Sequence, residues 1–291
     1  MNRLEVLIRP ARLEDTPQVL EMVSHIWEGE DYVAEVWDEW LNDPYGCLLA
    51  AEYENRVVGI AKLSRSSPQD WWMQGLRVHP DFEGHGIASQ LHEAILGFWS
   101  ANCQGAVRLA TSAKRLPVHH LCERTGFQKV GEYTYYQAGS LTGASLEFEP
   151  VTPDQASEAF AYTLGSPIIS LTSRYIDLGW EWLPPRLEVL QDIIQHQKAC
   201  WYKNRQGLLA YREDIEEDEN ISIPTIMWIA CQEAEIKNLL LDYRRMAGRE
   251  GYQNAGYTAP VNPELQFVLE SAGFERAWDG SVYLFEKTMR I

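Results

Sequence analysis

The sequence predicts an α/β protein of mixed α+β layers, arranged as two tandem halves of like element order. Three features predict it. Helical and strand-like apolar spacings alternate along the whole chain. A strand, a glycine loop and a helix follow one another over residues 75–88. A helix ending in Gly-Phe closes each half, as Leu121-Cys-Glu-Arg-Thr-Gly-Phe127 and as Val268-Leu-Glu-Ser-Ala-Gly-Phe274. The halves are expected to span 1–140 and 146–291, joined by the small, Gly-rich stretch 138–146.

In the first half, residues 4–9 read as a strand ended by Pro10. Val19, Leu20, Val23 and Ile26 have helical spacing within 15–27, and Val33, Val36, Trp37, Trp40 and Leu41 within 32–41. Asp43-Pro44-Tyr45-Gly46 is a turn. Strands over 47–53 and 56–64 form a hairpin around Glu54-Asn55, and 71–78 is a further strand. Ile87, Leu91, Ile95 and Phe98 give a helix from Gly86 onward. A strand over 107–111, a short helix over 117–124 and a strand from Gly126 to Gln137 complete this half. In the second half, helices are expected over 153–162, 187–195, 234–249 and 263–271. Strands are expected over 207–215, 223–230 and 253–258, with a closing hairpin over 274–287. The acidic run Glu213–Glu219 reads as an exposed loop.

A net charge of −17 excludes a phosphate-rich partner such as nucleic acid, which needs a basic footprint. It suits a cationic or amine ligand better. Five cysteines without CxxC spacing exclude a disulfide framework and a Cys-rich zinc site, and suit a reducing cytoplasm. No apolar run is long enough to span a bilayer, so no membrane partner is expected.

The chemistry is concentrated at Gly75-Leu-Arg-Val-His-Pro-Asp-Phe-Glu-Gly-His-Gly-Ile-Ala88. Unpaired amides of a first helical turn converge on one point, and glycines let the backbone approach a pyrophosphate. The Lys-Ser/Thr of a P-loop is absent, and no full GxGxxG follows the first strand. These residues resemble the acetyl-CoA signature of the GCN5-related N-acetyltransferases, Gln/Arg-x-x-Gly-x-Gly/Ala, here Glu83-Gly-His-Gly86-Ile-Ala88. Leu76-Arg-Val78-His-Pro80 resembles the family's fourth strand, and Gly126-Phe127 its closing pair.

The resemblance implies an acetyl-CoA-dependent N-acetyltransferase in the first half and a degenerate copy in the second. It implies that amides of Leu76, Arg77 and Val78 meet the pantetheine arm. Those of Gly84, His85, Gly86, Ile87, Ala88 and Ser89 would hold the pyrophosphate. Glu83 departs from the family's Gln or Arg, and its carboxylate opposes an anion unless it turns to solvent. The family's acid position, four residues before the closing Gly, holds Cys122. A thiol of ordinary pKa, about 8.5, would match the leaving thiolate; the alternative is a small buried apolar residue. For the base, Asp70 and Gln74 share a strand face with Trp72 between them, while a water relay to Glu28, Glu30 or Asp31 is the alternative. His119 and His120 read as loop polar residues, and the tryptophans as core. The order Asp31-Tyr32, Trp40-Leu41-x-Asp43-Pro44, Gly75-Leu-Arg-Val78 is also similar to vertebrate amino-acid N-acetyltransferase-like proteins, which points to a small amine or amino acid as acceptor. The second half has Ile229-Ala-Cys-Gln-Glu-Ala234 where a glycine loop would stand. A non-catalytic acyl-CoA-binding sensor or scaffold is the alternative function.

Overall fold

The computed structural model describes residues 3–26, 29–143, 147–171, 174–216 and 221–289. Strand β1 (Leu7–Pro10) leads through a tight turn into helices α1 (Thr16–Val23) and α2 (Val33–Asn42). Strands β2 (Cys47–Tyr53) and β3 (Arg56–Ser67) form the expected hairpin, followed by β4 (Asp70–Val78), α3 (Ile87–Asn102), β5 (Ala106–Ser112), α4 (Leu116–Arg124) and β6 (Gln128–Gly139). Then come β7 (Phe148–Pro150), α5 (Ala156–Gly165), α6 (Ile168–Leu171), β8 (Ile176–Asp177), β9 (Trp182–Leu183), α7 (Leu187–Gln195) and β10 (Ala199–Tyr202). The chain continues with β11 (Gly207–Glu216), β12 (Ile221–Cys231), α8 (Ile236–Arg249), β13 (Asn254–Pro260), α9 (Pro263–Ser271), β14 (Glu275–Arg276) and β15 (Val282–Thr288).

Two compact units emerge. The first takes Met1–Leu109, Pro117–Gln128 and Phe285–Ile291; the second takes Ala110–Leu116 and Lys129–Leu284. This differs from a cut at residue 140, and the reason is pairing. Strand β6 is antiparallel to β13 from Tyr133↔Pro260 to Gly139↔Asn254, so it belongs with the second unit.

In the first unit, β1 to β4 are antiparallel in sequence order, and β5 joins β4 in parallel. Helices α1 and α2 bury Val19, Met22, Val33, Trp37 and Trp40 against Leu48, Ala50, Val57 and Ile60. Their 3.6-residue spacing puts these side chains on one stripe. In the second unit the ladder runs β6, β13, β12, β11, β10, β7, with β13 and β12 parallel. Helix α8 buries Leu239, Leu240, Tyr243 and Met246 in one core, and α7 buries Leu190, Ile193 and Ile194 in another. The succession β12, α8, β13, α9 repeats β4, α3, β5, α4. Each last helix ends with the same bond, Phe127 N donating to Cys122 O at 2.9 Å and Phe274 N to Leu269 O at 3.0 Å.

Three expectations change. Glu213–Glu216 is not loop but the end of β11, paired with Ile221–Pro224, while 217–220 lie outside the described residues. Ala138 and Gly139 of the expected linker are strand, and 144–146 lie outside the described residues. The expected hairpin over 274–287 does not form as such: β14 pairs with β6, and the end of β15, from Phe285, returns to the first unit.

Candidate functional site

The site is built at the middle of β4. Ile60 faces Arg77 and Lys62 faces Gln74, so Gly75 and Leu76 together oppose Ala61 in a β-bulge. Gly75 has φ +62°, and a Cβ there would lie 2.5 Å from Trp40 ring atoms, so both backbone shape and space demand glycine. On its other edge β4 pairs with β5 only at Asp70↔Ala106, Trp71↔Val107 and Trp72↔Arg108. Beyond Trp72 the two parallel strands part. Leu76, Arg77 and Val78 therefore carry backbone groups that β5 does not pair.

The loop after β4 makes a tight turn at Pro80–Phe82, held by Asp81 N donating to His79 Nδ1 at 3.2 Å. Glu83 follows in extended conformation, exposed to solvent. Gly86 then caps α3 from the left-handed region, φ +79°, with no side-chain acceptor for the first-turn amides. His85 Nδ1–H donates to Glu83 O at 2.9 Å, which folds its ring back on the loop. The N-terminal segment runs beside this loop. Leu4 N donates to His85 O at 3.0 Å, and Gln90 Nε2 donates to Leu4 O at 2.7 Å. A Cβ on Gly86 would sit 3.5 Å from Arg3 Cγ. An exposed arginine thus borders a cradle of unpaired amides, and the chain places it 80 residues upstream, where sequence spacing gave no sign of it.

A packed polar group stands next to the bulge. Arg77 Nε and Nη2 donate to Asp31 Oδ2 and Oδ1 at 2.5 and 3.1 Å, both residues buried. The Arg77 guanidinium lies over the Tyr32 ring at 5.4 Å, and Tyr32 meets Trp40 edge to face at 6.0 Å. Burial raises the Tyr32 phenol above its ordinary pKa, against the pull of Arg77 and of a hydrogen bond from the Gly75 backbone. Tyr32 is the functional candidate that sequence reasoning passed over. Its only sign was the pair Asp31-Tyr32 just ahead of a helix.

The two expected catalytic side chains are turned inward. Asp70 accepts from Ser67 Oγ at 2.5 Å and Arg108 Nη1 at 2.7 Å, and Arg108 also pairs with Glu286 at 2.7 Å. With Asp70 1% and Arg108 3% exposed, the carboxylate is committed to an ion pair rather than offered as a base. Burial pushes the Cys122 thiol up to about 12, which removes the expected match to a leaving thiolate. That favours its role as a small apolar residue of α4. Gln74 donates to Ser64 Oγ at 2.9 Å. Of the relay candidates, Asp31 is held by Arg77, Glu30 is exposed, and Glu28 lies outside the described residues. Glu35, Asp38 and Glu39 form a solvated face of α2. His119 is buried near the Phe285 ring at 5.6 Å, and His120 is exposed.

A strand bulged at its centre, parted from its parallel neighbour and followed by a glycine-capped helix, coincides with a match to the acetyltransferase (GNAT) family over residues 14–127. Those residues are a GNAT-family domain. Over 116 residues the chain is 31% identical to N-acetylaspartate synthetase of Danio rerio, covering 40% of this chain and 41% of that protein. The chain thus matches about two fifths of the length of such curated relatives. Among solved structures, a GCN5-related N-acetyltransferase from Sphaerobacter thermophilus aligns over 100% of this chain and 98% of its own, with TM-score 0.63 and 13% identity. A tandem GNAT protein from the clavulanic acid biosynthesis pathway aligns over 97% and 98%, with TM-score 0.56 and 12% identity. At these identities the likeness is one of fold, and it extends the GNAT architecture across both units.

In the second unit the junction equivalent to the GNAT loop is different. Cys231 ends β12, a tight turn over Glu233–Glu235 opens α8, and Glu235 pairs with Lys203 at 3.0 Å. No glycine stands there. Among the described residues, no helix is long and apolar enough to cross a membrane.

Proposed function

We propose that the first unit binds acetyl-CoA and transfers its acetyl group to a small primary amine or amino acid. The observation that carries this reading is the parting of β4 from β5 beside the Gly86-capped helix, within the residues that match the GNAT family. Acetyl-CoA would supply a thioester carbonyl open to attack by a neutral amine. Amides of Gly84–Ser89 would hold its pyrophosphate at the helix N-terminus, and the open edge of Leu76–Val78 would pair with the pantetheine arm. Arg3 supplies the positive charge that Glu83 does not, and Glu83 is already turned to solvent.

The bulge aims the backbone around Gly75 into the gap, where an amide can stabilise a developing oxyanion; one such donor is worth about 10²–10³ in rate. In this reading Tyr32, packed at that bulge, orients the acceptor and exchanges a proton with it. The N-acetylaspartate synthetase relatives support an amino acid as acceptor. The second unit is read as a degenerate copy that takes no coenzyme, because Glu233 and Glu235 occupy the helix start where an anion would bind.

A second reading is a coenzyme-binding sensor. It is favoured by the commitment of both Asp70 and Cys122 to the interior, which leaves neither as a ready acid or base. One experiment separates the two. Calorimetry with acetyl-CoA should saturate at one equivalent per chain, and free-thiol release should follow addition of one member of an amine and amino-acid panel that includes aspartate. Binding without thiol release across the panel selects the sensor. No binding rejects both readings.

A further inference from the structure

His79 ends β4 and opens the loop that leads to α3, and its buried ring faces two donors at once. Its Nδ1 accepts from Asp81 N at 3.2 Å, which caps the Pro80–Phe82 turn. Its Nε2 stands 2.7 Å from Arg56 Nη2, and a guanidinium can only donate. A neutral imidazole has one acceptor nitrogen, so it can serve the turn or the arginine but not both. Carboxylates stand on either side of the ring. Glu21 Oε2, from α1, lies 4.0 Å from Nε2 and 3.6 Å from Arg56 Nη2, while Asp81 Oδ2 lies 3.8 Å from Nδ1. With its one proton on Nε2, the ring keeps the turn capped, and Glu21 is the acceptor near both ring and arginine. A second proton, on Nδ1, removes the cap and draws the ring toward Asp81 and Glu21. The other neighbours are His25 of α1 and Phe82. His25 Nε2 lies 3.2 Å from Glu21 Oε1, with its ring 6.3 Å from that of His79. Phe82 meets the His79 ring edge to face at 5.7 Å, and the Arg56 guanidinium covers Phe82 at 5.8 Å.

We propose that His79 is a positioning residue for acetyl-CoA: singly protonated, it caps the turn and sets the loop Gly84–Ser89 for the pyrophosphate, and doubly protonated, it releases the turn and weakens binding. The proposal rests on the coenzyme site argued above and adds to it a dependence on pH that backbone amides do not have. A positive charge on the ring would by itself favour an anion nearby. A loss of affinity on protonation therefore has the sign of a lost cap, opposite to that of a changed field.

The test combines NMR of the ¹⁵N-labelled full chain with acetyl-CoA calorimetry, both between about pH 5.5 and about pH 8, the range in which histidines change charge. The Asp81 amide signal should titrate with the same midpoint as the His79 ring nitrogens. His79→Asn keeps a capping oxygen that does not titrate. From about pH 8 to about pH 5.5, acetyl-CoA affinity should fall about 3–10-fold more for the parent than for this variant, a comparison that cancels the coenzyme's own phosphate. His25→Gln, which removes the neighbouring imidazole, should keep the parent's dependence. An Asp81 amide indifferent to the His79 titration would overturn the proposal, and this arm needs no variant to fold. So would a fall in the parent no greater than in His79→Asn, or its disappearance in His25→Gln. Absence of acetyl-CoA binding at either pH would reject the coenzyme reading instead, and the Asp81 signal would then decide whether His79 works the turn.

Discussion

Replacing Asp70 by Asn separates an ion-pair role from a catalytic one. Asp70 and Arg108 are both almost wholly buried and meet at 2.7 Å. Breaking such a pair costs about 3–5 kcal/mol, because it strands the remaining charge. Here Glu286 stays on Arg108 at 2.7 Å and Ser67 can still donate to the amide oxygen, so the loss should fall near the low end, about 3 kcal/mol. Urea unfolding followed by tryptophan fluorescence measures it. Under conditions where the variant remains folded, its kcat/KM should stay within about threefold of the parent, since a removed general base costs about 10²–10⁴. A fully stable variant that had lost a hundredfold in kcat/KM would refute the ion-pair assignment and restore Asp70 as a base.

Other consequences are equally direct. Gly75→Ala should cost about 2–5 kcal/mol, adding a left-handed residue with a Cβ to a 2.5 Å approach to Trp40; a loss under about 1 kcal/mol in a urea melt would mean that the bulge relaxes freely. His92 is held neutral in the core, its pKa lowered from 6.5 to about 4 by burial, with Arg124 and Lys287 adding to the effect. The unfolded chain takes up that proton first, so stability present above pH 6.5 should drain away as pH falls toward 4, by about 3 kcal/mol in all. His92→Gln should flatten that part of the pH–stability curve. Arg3→Ala should weaken acetyl-CoA binding by about 3–10-fold and Glu83→Gln should tighten it by a similar factor, both effects fading with added salt; salt-independent changes would place these side chains outside the field of the pyrophosphate.

The elements around the site were legible because their signals are local. Apolar spacing set α2, α7, α8 and α9 to within a residue or two, and Gly84-x-Gly86 after a strand marked the cap of α3. What escaped depends on contacts distant in sequence. Asp70 reads as a free carboxylate until Arg108 and Glu286 are seen to close on it, and no spacing rule links those positions. Arg3 stands just before the segment read as strand over 4–9, whereas β1 begins at Leu7 and leaves Arg3 and Leu4 against the loop. Strand β10, Ala-Cys-Trp-Tyr, is buried along its whole length, so it shows no alternation to betray it. The acidic end of β11 reads as loop from sequence because charge masks the strand pairing that the β12 register supplies.

The late return of Phe285–Thr288 to the first unit sets a clock on its birth. Glu286, the outer partner of Arg108, is made 178 residues after it, and Met289 N donates to Gly105 O from the same late segment. At roughly 5–20 residues per second, a ribosome adds the stretch from Gln128 to Phe285 in roughly 10–30 s. A first unit that folds within that interval does so with Arg108 lacking Glu286 and without the Met289–Gly105 bond. The family signature at 83–88 is thus translated well before the segment from Phe285 that completes its unit, and synthesis of Lys129–Leu284 is the delay between them.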